Sequence, residues 1–269
     1  MFFLQSAHSY LQLALASVKS RMEYRASFFI FLFTLVSFYT AQALTIGIII
    51  HRFKVIGGWS VGEIAFLYSL LILSQGIVSC LFSGVVEFGN FIREGTFDRL
   101  LVRPLSPLGQ VIASGFELVG LAHLILGLIT FFIANSLIRI SWSFFDVVIF
   151  ITVILGGSMI LAGIRIIIAA IAFYAVNNNS LVHLFVFSSR EFLLYPLNIY
   201  SKGVKFLLKF IIPLGFVNFY PAQYFLKKSG EGIFHEYIVY FTLPIGVLLF
   251  LISILFWRKG QKDYESAGG

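Results

Sequence analysis

Residues 86–110 read VEFGNFIREGTFDRLLVRPLSPLGQ, a dense charged block in an otherwise apolar chain. Glu87, Arg93, Glu94, Asp98, Arg99 and Arg103 fall within seventeen residues, interleaved with Phe91, Ile92, Phe97, Leu100, Leu101 and Val102. Pro104 and Pro107 close the block, and long hydrophobic segments flank it. The pattern predicts a short amphipathic helix, about 87–103, between two membrane spans. Such a helix suits a docking element pressed against a soluble partner. Apolar teeth at Phe91, Phe97 and Leu100 would seat in a groove, and a rim of Arg93, Glu94, Asp98 and Arg99 would set the register. The competing reading is a loop lying among lipid headgroups with its charges snorkelling outward.

The composition around the block defines the class. Of 269 residues, 59% are hydrophobic and 12% charged, and mean hydropathy is +0.96. Soluble domains carry roughly 25% charged residues. Half that value, with apolar runs of about 20 residues, reads as a polytopic membrane protein. The net charge of +7 is a membrane signature, because Lys and Arg gather at span ends near anionic headgroups. It is not read as nucleic-acid binding. The one cysteine, Cys80, excludes an internal disulfide. The N-terminus lacks a small-residue cleavage site after a short apolar core, so no signal peptide is expected.

Working outward, spans two and three are expected at about 61–83 and 107–137, the latter long enough to tilt. Before them, residues 1–25 predict an amphipathic interfacial helix, 26–50 a first span, and 51–60 a short outer loop. Beyond them, span four is expected at 145–174, a polar turn at Asn177–Asn179 and span five at 181–200. Over 201–229 the pattern breaks, with five lysines, Pro213 and Pro221 among apolar residues. That combination predicts a re-entrant helix pair, which survives at membrane depth only where protein or water satisfies its backbone. Span six follows at 237–257, then a cytoplasmic tail over 258–269. The fold class is therefore all-α and polytopic, with one six-helix transmembrane domain over 26–257 and both termini on one face. Lys and Arg divide almost evenly between the two faces, but their clusters at both termini place those termini inside.

Catalytic equipment is missing. There is no G-x-x-x-x-G-K-[ST] phosphate loop, no H-E-x-x-H, no cysteine pair and no G-x-S-x-G. The five histidines are spread over different elements and read as packing or interfacial residues, so no metal site is expected. Four intramembrane charges carry more information. Glu117, Arg165, Arg190 and Glu191 all fall about ten residues into their spans, roughly 15 Å from the inner boundary. Charge at that depth is costly unless paired or wet. A shared polar layer follows, with Glu117–Arg165 as one candidate pair. It either lines a substrate path or locks three helices together. The 32 phenylalanines face lipid or pack between helices, and no single ring can be assigned to a cavity. Gly120, Gly127, Gly156, Gly157 and Gly163 suit close helix approach.

Three segments taken together resemble a known family: EGTFDRLLVRPLSPL at 94–108, SREFLLYPLNIY at 189–200 and IIPLGFVNFYPA at 211–222. Their order and spacing, over essentially the whole chain, are similar to the small six-span permeases of type-2 ABC exporters. The resemblance implies a transmembrane subunit of a transporter in a bacterial-type inner membrane. Its partners would be a dimer of separate ATPase chains, which bind ATP and Mg, and a second permease, either a sister chain or another copy. This chain itself would hold no cofactor. The first motif, with Phe91, Arg93, Glu94, Gly95, Phe97, Asp98, Arg99 and Arg103, would be the coupling helix. The third, with Pro213, Asn218, Tyr220 and Pro221, would be the outer re-entrant segment. Export of a hydrophobic or amphiphilic compound is the implied activity. The lysine-rich outer segment departs from the common pattern and bears on the substrate. An ion-gradient-driven carrier using the charged layer is the alternative, although no inverted repeat is visible. A lipid-modifying enzyme would need a nucleophile or metal cluster that the sequence lacks.

Overall fold

A computed structural model describes residues 55–175, 178–228 and 237–265, with scattered positions between 9 and 41. The interfacial helix expected over 1–25 and the first span over 26–50 fall largely outside the described residues.

Helix α1, Val61–Leu81, is the axis of the bundle. Its start is set by Ser60, whose amide donates to the Glu63 carboxylate at 2.6 Å, a reciprocal cap that satisfies end groups of the helix. Just before it, strands β1 (Val55–Ile56) and β2 (Trp59–Ser60) pair antiparallel across the Gly57–Gly58 turn. The expected outer loop thus contains a hairpin. Phe66, Leu67, Leu70, Leu71 and Ile72 of α1 are fully buried. A helix buried on nearly every side is a core helix, and α1 is wrapped by its neighbours.

After α1 come four short helices: α2 (Ser83–Val86), α3 (Phe88–Arg93), α4 (Asp98–Leu101) and α5 (Pro107–Ser114). Then α6 (Val119–Ile138) runs back antiparallel along α1, and α7 (Phe144–Ile171) packs against both α1 and the last helix, α12 (Thr242–Lys262). Helix α7 starts at a second reciprocal cap, between Ser143 and Asp146. It runs in the same direction as α12 and approaches it closely: a β-carbon on Gly246 would lie 2.4 Å from the Gly156 carbonyl oxygen. Between α7 and α12 lie α8 (Asn179–Val182), a π-helical stretch His183–Ser188, α9 (Ser189–Phe192), α10 (Lys202–Phe206) with a second π-helical stretch Leu207–Ile211, and α11 (Phe219–Phe225).

Several expectations are corrected. Span three is not continuous over 107–137. Ser106 caps α5, accepting from the Gly109 amide at 3.2 Å with Pro107 in the first turn, but α5 stops at Ser114. There Gly115 meets Gly84 backbone to backbone, and a β-carbon on Gly115 would fall 2.0 Å from the Gly84 α-carbon. The chain turns at this contact, and α6 alone is the long apolar helix. Span five is likewise shorter: its helical run ends at Phe192, ahead of Pro196, which disfavours helix in the residue before it. The last helix reaches Lys262, five residues beyond the predicted 257. Among the described residues four helices are long and apolar enough to cross a membrane, or five if a bent pair counts as one. That pair, Lys202–Ile211 and Leu214–Phe225, bends by 79° around Ile212 and Pro213.

Two apolar cores result. One, near the hairpin, joins α1, α7, the bent pair and Trp59. The other joins the charged block to the ends of α7 and α12.

Candidate functional site

The charged block is two short helices and a turn, where the sequence predicts one helix. Gly95, with φ 64°, makes the turn in a conformation that only glycine adopts readily. The Gly95 amide bonds to the Ile92 carbonyl at 3.2 Å and the Phe97 amide to the Phe91 carbonyl at 3.1 Å. Arg93 donates to the Asn90 side chain.

This turn reverses the expected role of the teeth. Phe97 is fully buried and Leu100 nearly so, while Phe91 is half-buried. They face the chain's own interior. Phe97 packs edge-on against Phe88 at 5.3 Å, Phe173 at 5.3 Å and Tyr264 at 5.1 Å. Phe88 stacks beside Trp257 at 4.4 Å and Phe173 at 5.0 Å. Burying several rings in offset and edge-to-face contacts makes a stiff base. Facing outward are Arg93, Glu94, Arg99 and Arg103, with Asp98 half-buried and Gly95 at the turn. The apolar residues in the outward set are Leu101 and Val102, the latter 84% exposed. Sequence reasoning missed both. A better signal lay in the helical offset between Phe97 and Val102, which puts them on different sides once a turn precedes α4.

Two further contacts hold the block. Buried Gln110 donates to the Leu100 carbonyl at 2.9 Å and to the Leu105 carbonyl at 3.0 Å. The Ser106 amide donates to the Tyr10 hydroxyl at 2.9 Å, so the N-terminal segment touches the block's end.

The intramembrane charges converge in part. Arg165 of α7 is 6% exposed and donates to the Val78 carbonyl of α1 at 3.3 Å. Glu117 and Arg190 act on it electrostatically. Glu117 is not mid-helix as expected. It sits in the break before α6, with its amide bonded to the Cys80 carbonyl at 3.2 Å. Arg190 is half-buried at the start of α9 and also acts electrostatically on buried His123 and Tyr68. Glu191 is exposed and acts on Tyr68 and Tyr200. Nothing in the residue pattern singles out Tyr68. His123, expected as a packing or interfacial residue, is buried, and its ring bonds to the Val119 carbonyl at 3.1 Å. Around this layer α1 buries its own polar side chains, Ser69, Ser74, Gln75 and Ser79. Gln75 donates to Ser79 at 3.2 Å, and Ser158 of α7 donates to the Ser74 carbonyl at 3.2 Å.

In the bent pair, Asn218 is buried and donates to the Leu193 carbonyl at 2.7 Å and the Leu67 carbonyl at 3.4 Å. It ties the pair to α1 roughly 9 Å below that helix's start, at 1.5 Å per residue. Pro221 is buried, and Tyr220 packs on Phe216 at 4.9 Å. Pro213 lies at the bend.

A bundle of long apolar helices around a buried polar axis, capped at one end by a charged block, is a multi-pass membrane protein. A family model described as ABC-2 family transporter protein matches residues 36–268. The chain therefore belongs to the ABC-2 transporter family, whose membrane chains are transport permease components. No curated protein and no solved structure matches it.

Proposed function

We propose that this chain is the transmembrane permease subunit of an ATP-driven exporter, docked through its charged block to a separate ATPase dimer that binds ATP and Mg. The observation that carries the reading is the block's architecture. An outward rim of Arg93, Glu94, Arg99, Val102 and Arg103 rests on an aromatic base shared with α7 and α12. Force from closing ATPases needs such a contact, because a mobile loop would absorb it. In this reading six spans cross a bacterial-type inner membrane, both termini are cytoplasmic, and a second permease completes the path. The cargo is hydrophobic or amphiphilic.

The test is purification of the chain expressed with its genomic neighbours, followed by ATPase and transport assays in lipid. Co-purification of a P-loop ATPase whose hydrolysis responds to Glu94→Lys or Val102→Asp supports the proposal. A chain that purifies alone and moves solute down an ion gradient overturns it. The convergence of Glu117, Arg165 and Arg190 favours that second reading, a gradient-driven carrier, should the ATPase be absent.

A further inference from the structure

A cavity of about 790 Å³ opens between the hairpin and the two arms of the bent pair, at the end of α1 opposite the charged block. Its size suits a small amphiphile. Five lysines line it, Lys202, Lys205 and Lys209 from one arm and Lys227 and Lys228 beyond the other, and among the described residues its lining contains no carboxylate. Aromatic and aliphatic walls complete it, including Trp59, Phe206, Phe210 and Phe219.

Two of the lysines are held in place. Lys228 pairs with Glu63 at 3.0 Å, donates to the Gly58 carbonyl at 2.8 Å and stands 5.0 Å over the Trp59 ring. Lys209 stands 5.3 Å over Phe210 and 5.6 Å over Tyr220. Along α10 and the stretch after it, Lys202, Lys205 and Lys209 recur at spacings of three and four, where like charges repel. Such crowding around a concave space is stabilised by an anion. Exposed Phe206 and Phe210 sit at the same mouth, an apolar surface beside the charge.

We infer that this cavity binds the phosphate headgroup of an anionic amphiphile, with the tail lying along Phe206 and Phe210. As a binding site this stands on the cavity alone; as the class of cargo it rests on the permease reading.

Native mass spectrometry of the purified chain, without ATP, tests it with three probes: phosphatidylglycerol, phosphatidylcholine and inorganic phosphate. Phosphatidylglycerol should bind about tenfold more tightly than phosphatidylcholine, since each basic residue near an anionic headgroup adds attraction. The triple variant Lys202→Gln, Lys205→Gln, Lys209→Gln should erase that preference, and the triple Lys→Arg variant should keep it. Equal binding of the two lipids, or a preference untouched by the Gln variant, overturns the site. Inorganic phosphate displacing the lipid at matching concentration also overturns it, because the site would then serve a free anion. Binding is read without an ATPase, so its failure and a failure of ATPase co-purification are separate results.

Discussion

The rings of Phe88 and Trp257 lie 4.4 Å apart, joining the charged block to the last helix across about 170 residues of chain. Phe97 sits on the same cluster and touches Phe173 just past α7. The block is therefore packed onto the ends of two long helices, which themselves meet closely at Gly156 and Gly246.

Truncating this base should cost stability first. Phe97→Ala removes a fully buried ring, a change worth on the order of 3–5 kcal/mol in well-packed cores. Thermal unfolding in detergent should show a clear fall in Tm, and Phe97→Leu a smaller one. An unchanged Tm for Phe97→Ala would show that the cluster does not hold the block.

Changes on the rim should do the opposite. Val102 and Glu94 are exposed, and surface substitutions away from special features usually stay within about 0.5 kcal/mol. Val102→Asp and Glu94→Lys should leave Tm unchanged and lower ATPase association or coupling several-fold. Wild-type coupling in both variants would remove the docking assignment from this face.

How much of this was legible beforehand depends on the kind of signal. Composition and run length were enough for the membrane class, and α1 and α7 fall close to the predicted spans because long apolar runs leave few alternatives. The breaks were not legible. Gly115 ends α5 because it meets Gly84 in space, a contact between residues 31 apart that hydropathy cannot register. The block misled for a related reason. Its alternation of apolar and charged residues was read as one face against a partner, whereas the Gly95 turn sends Phe97 inward and leaves Val102 outside. The charged layer was half legible. Depth counting brought Glu117, Arg165 and Arg190 together, yet it assumed three straight helices, and Glu117 reaches the layer from a break while Glu191 faces outward.

Arg165 offers a test of whether that layer is structural. It is buried between α7 and α1, donates to the Val78 carbonyl and feels Glu117. Glu117 is only half-buried, so removing the Arg165 charge leaves a partly solvated carboxylate without its neighbouring cation and the buried Val78 carbonyl without that donor, a cost on the order of 1–3 kcal/mol. Arg165→Ala should therefore lower Tm. Adding Glu117→Gln to that variant should restore part of the loss, a coupling that a double-mutant cycle measures. Additive effects would separate the two residues. A recovered Tm with transport still absent would place the layer on the substrate path as well.

The C-terminal end of α12 carries the last prediction. The Tyr174 hydroxyl, just beyond α7, donates to the Asp263 carboxylate at 2.8 Å. This bond, with smaller contributions from desolvation and the carboxylate's charge, raises the phenol above its ordinary value. The folded state thus favours the protonated phenol. Its contribution is fully present below the unfolded phenol value of about 10 and is lost as pH rises through the higher folded value. Tyr174→Phe removes the bond at every pH. The Tm difference between wild type and Tyr174→Phe should be small and steady from neutral pH to about 9, then close as the solution becomes more alkaline than the unfolded phenol value. The sign matters, because a difference that grew with pH would mean that the folded state holds the phenolate. Because the bond ties the turn after α7 to the last residues of α12, limited proteolysis near Asp263 should follow the same profile. Cleavage in the wild type should rise toward the variant's rate over the pH range in which the Tm difference disappears.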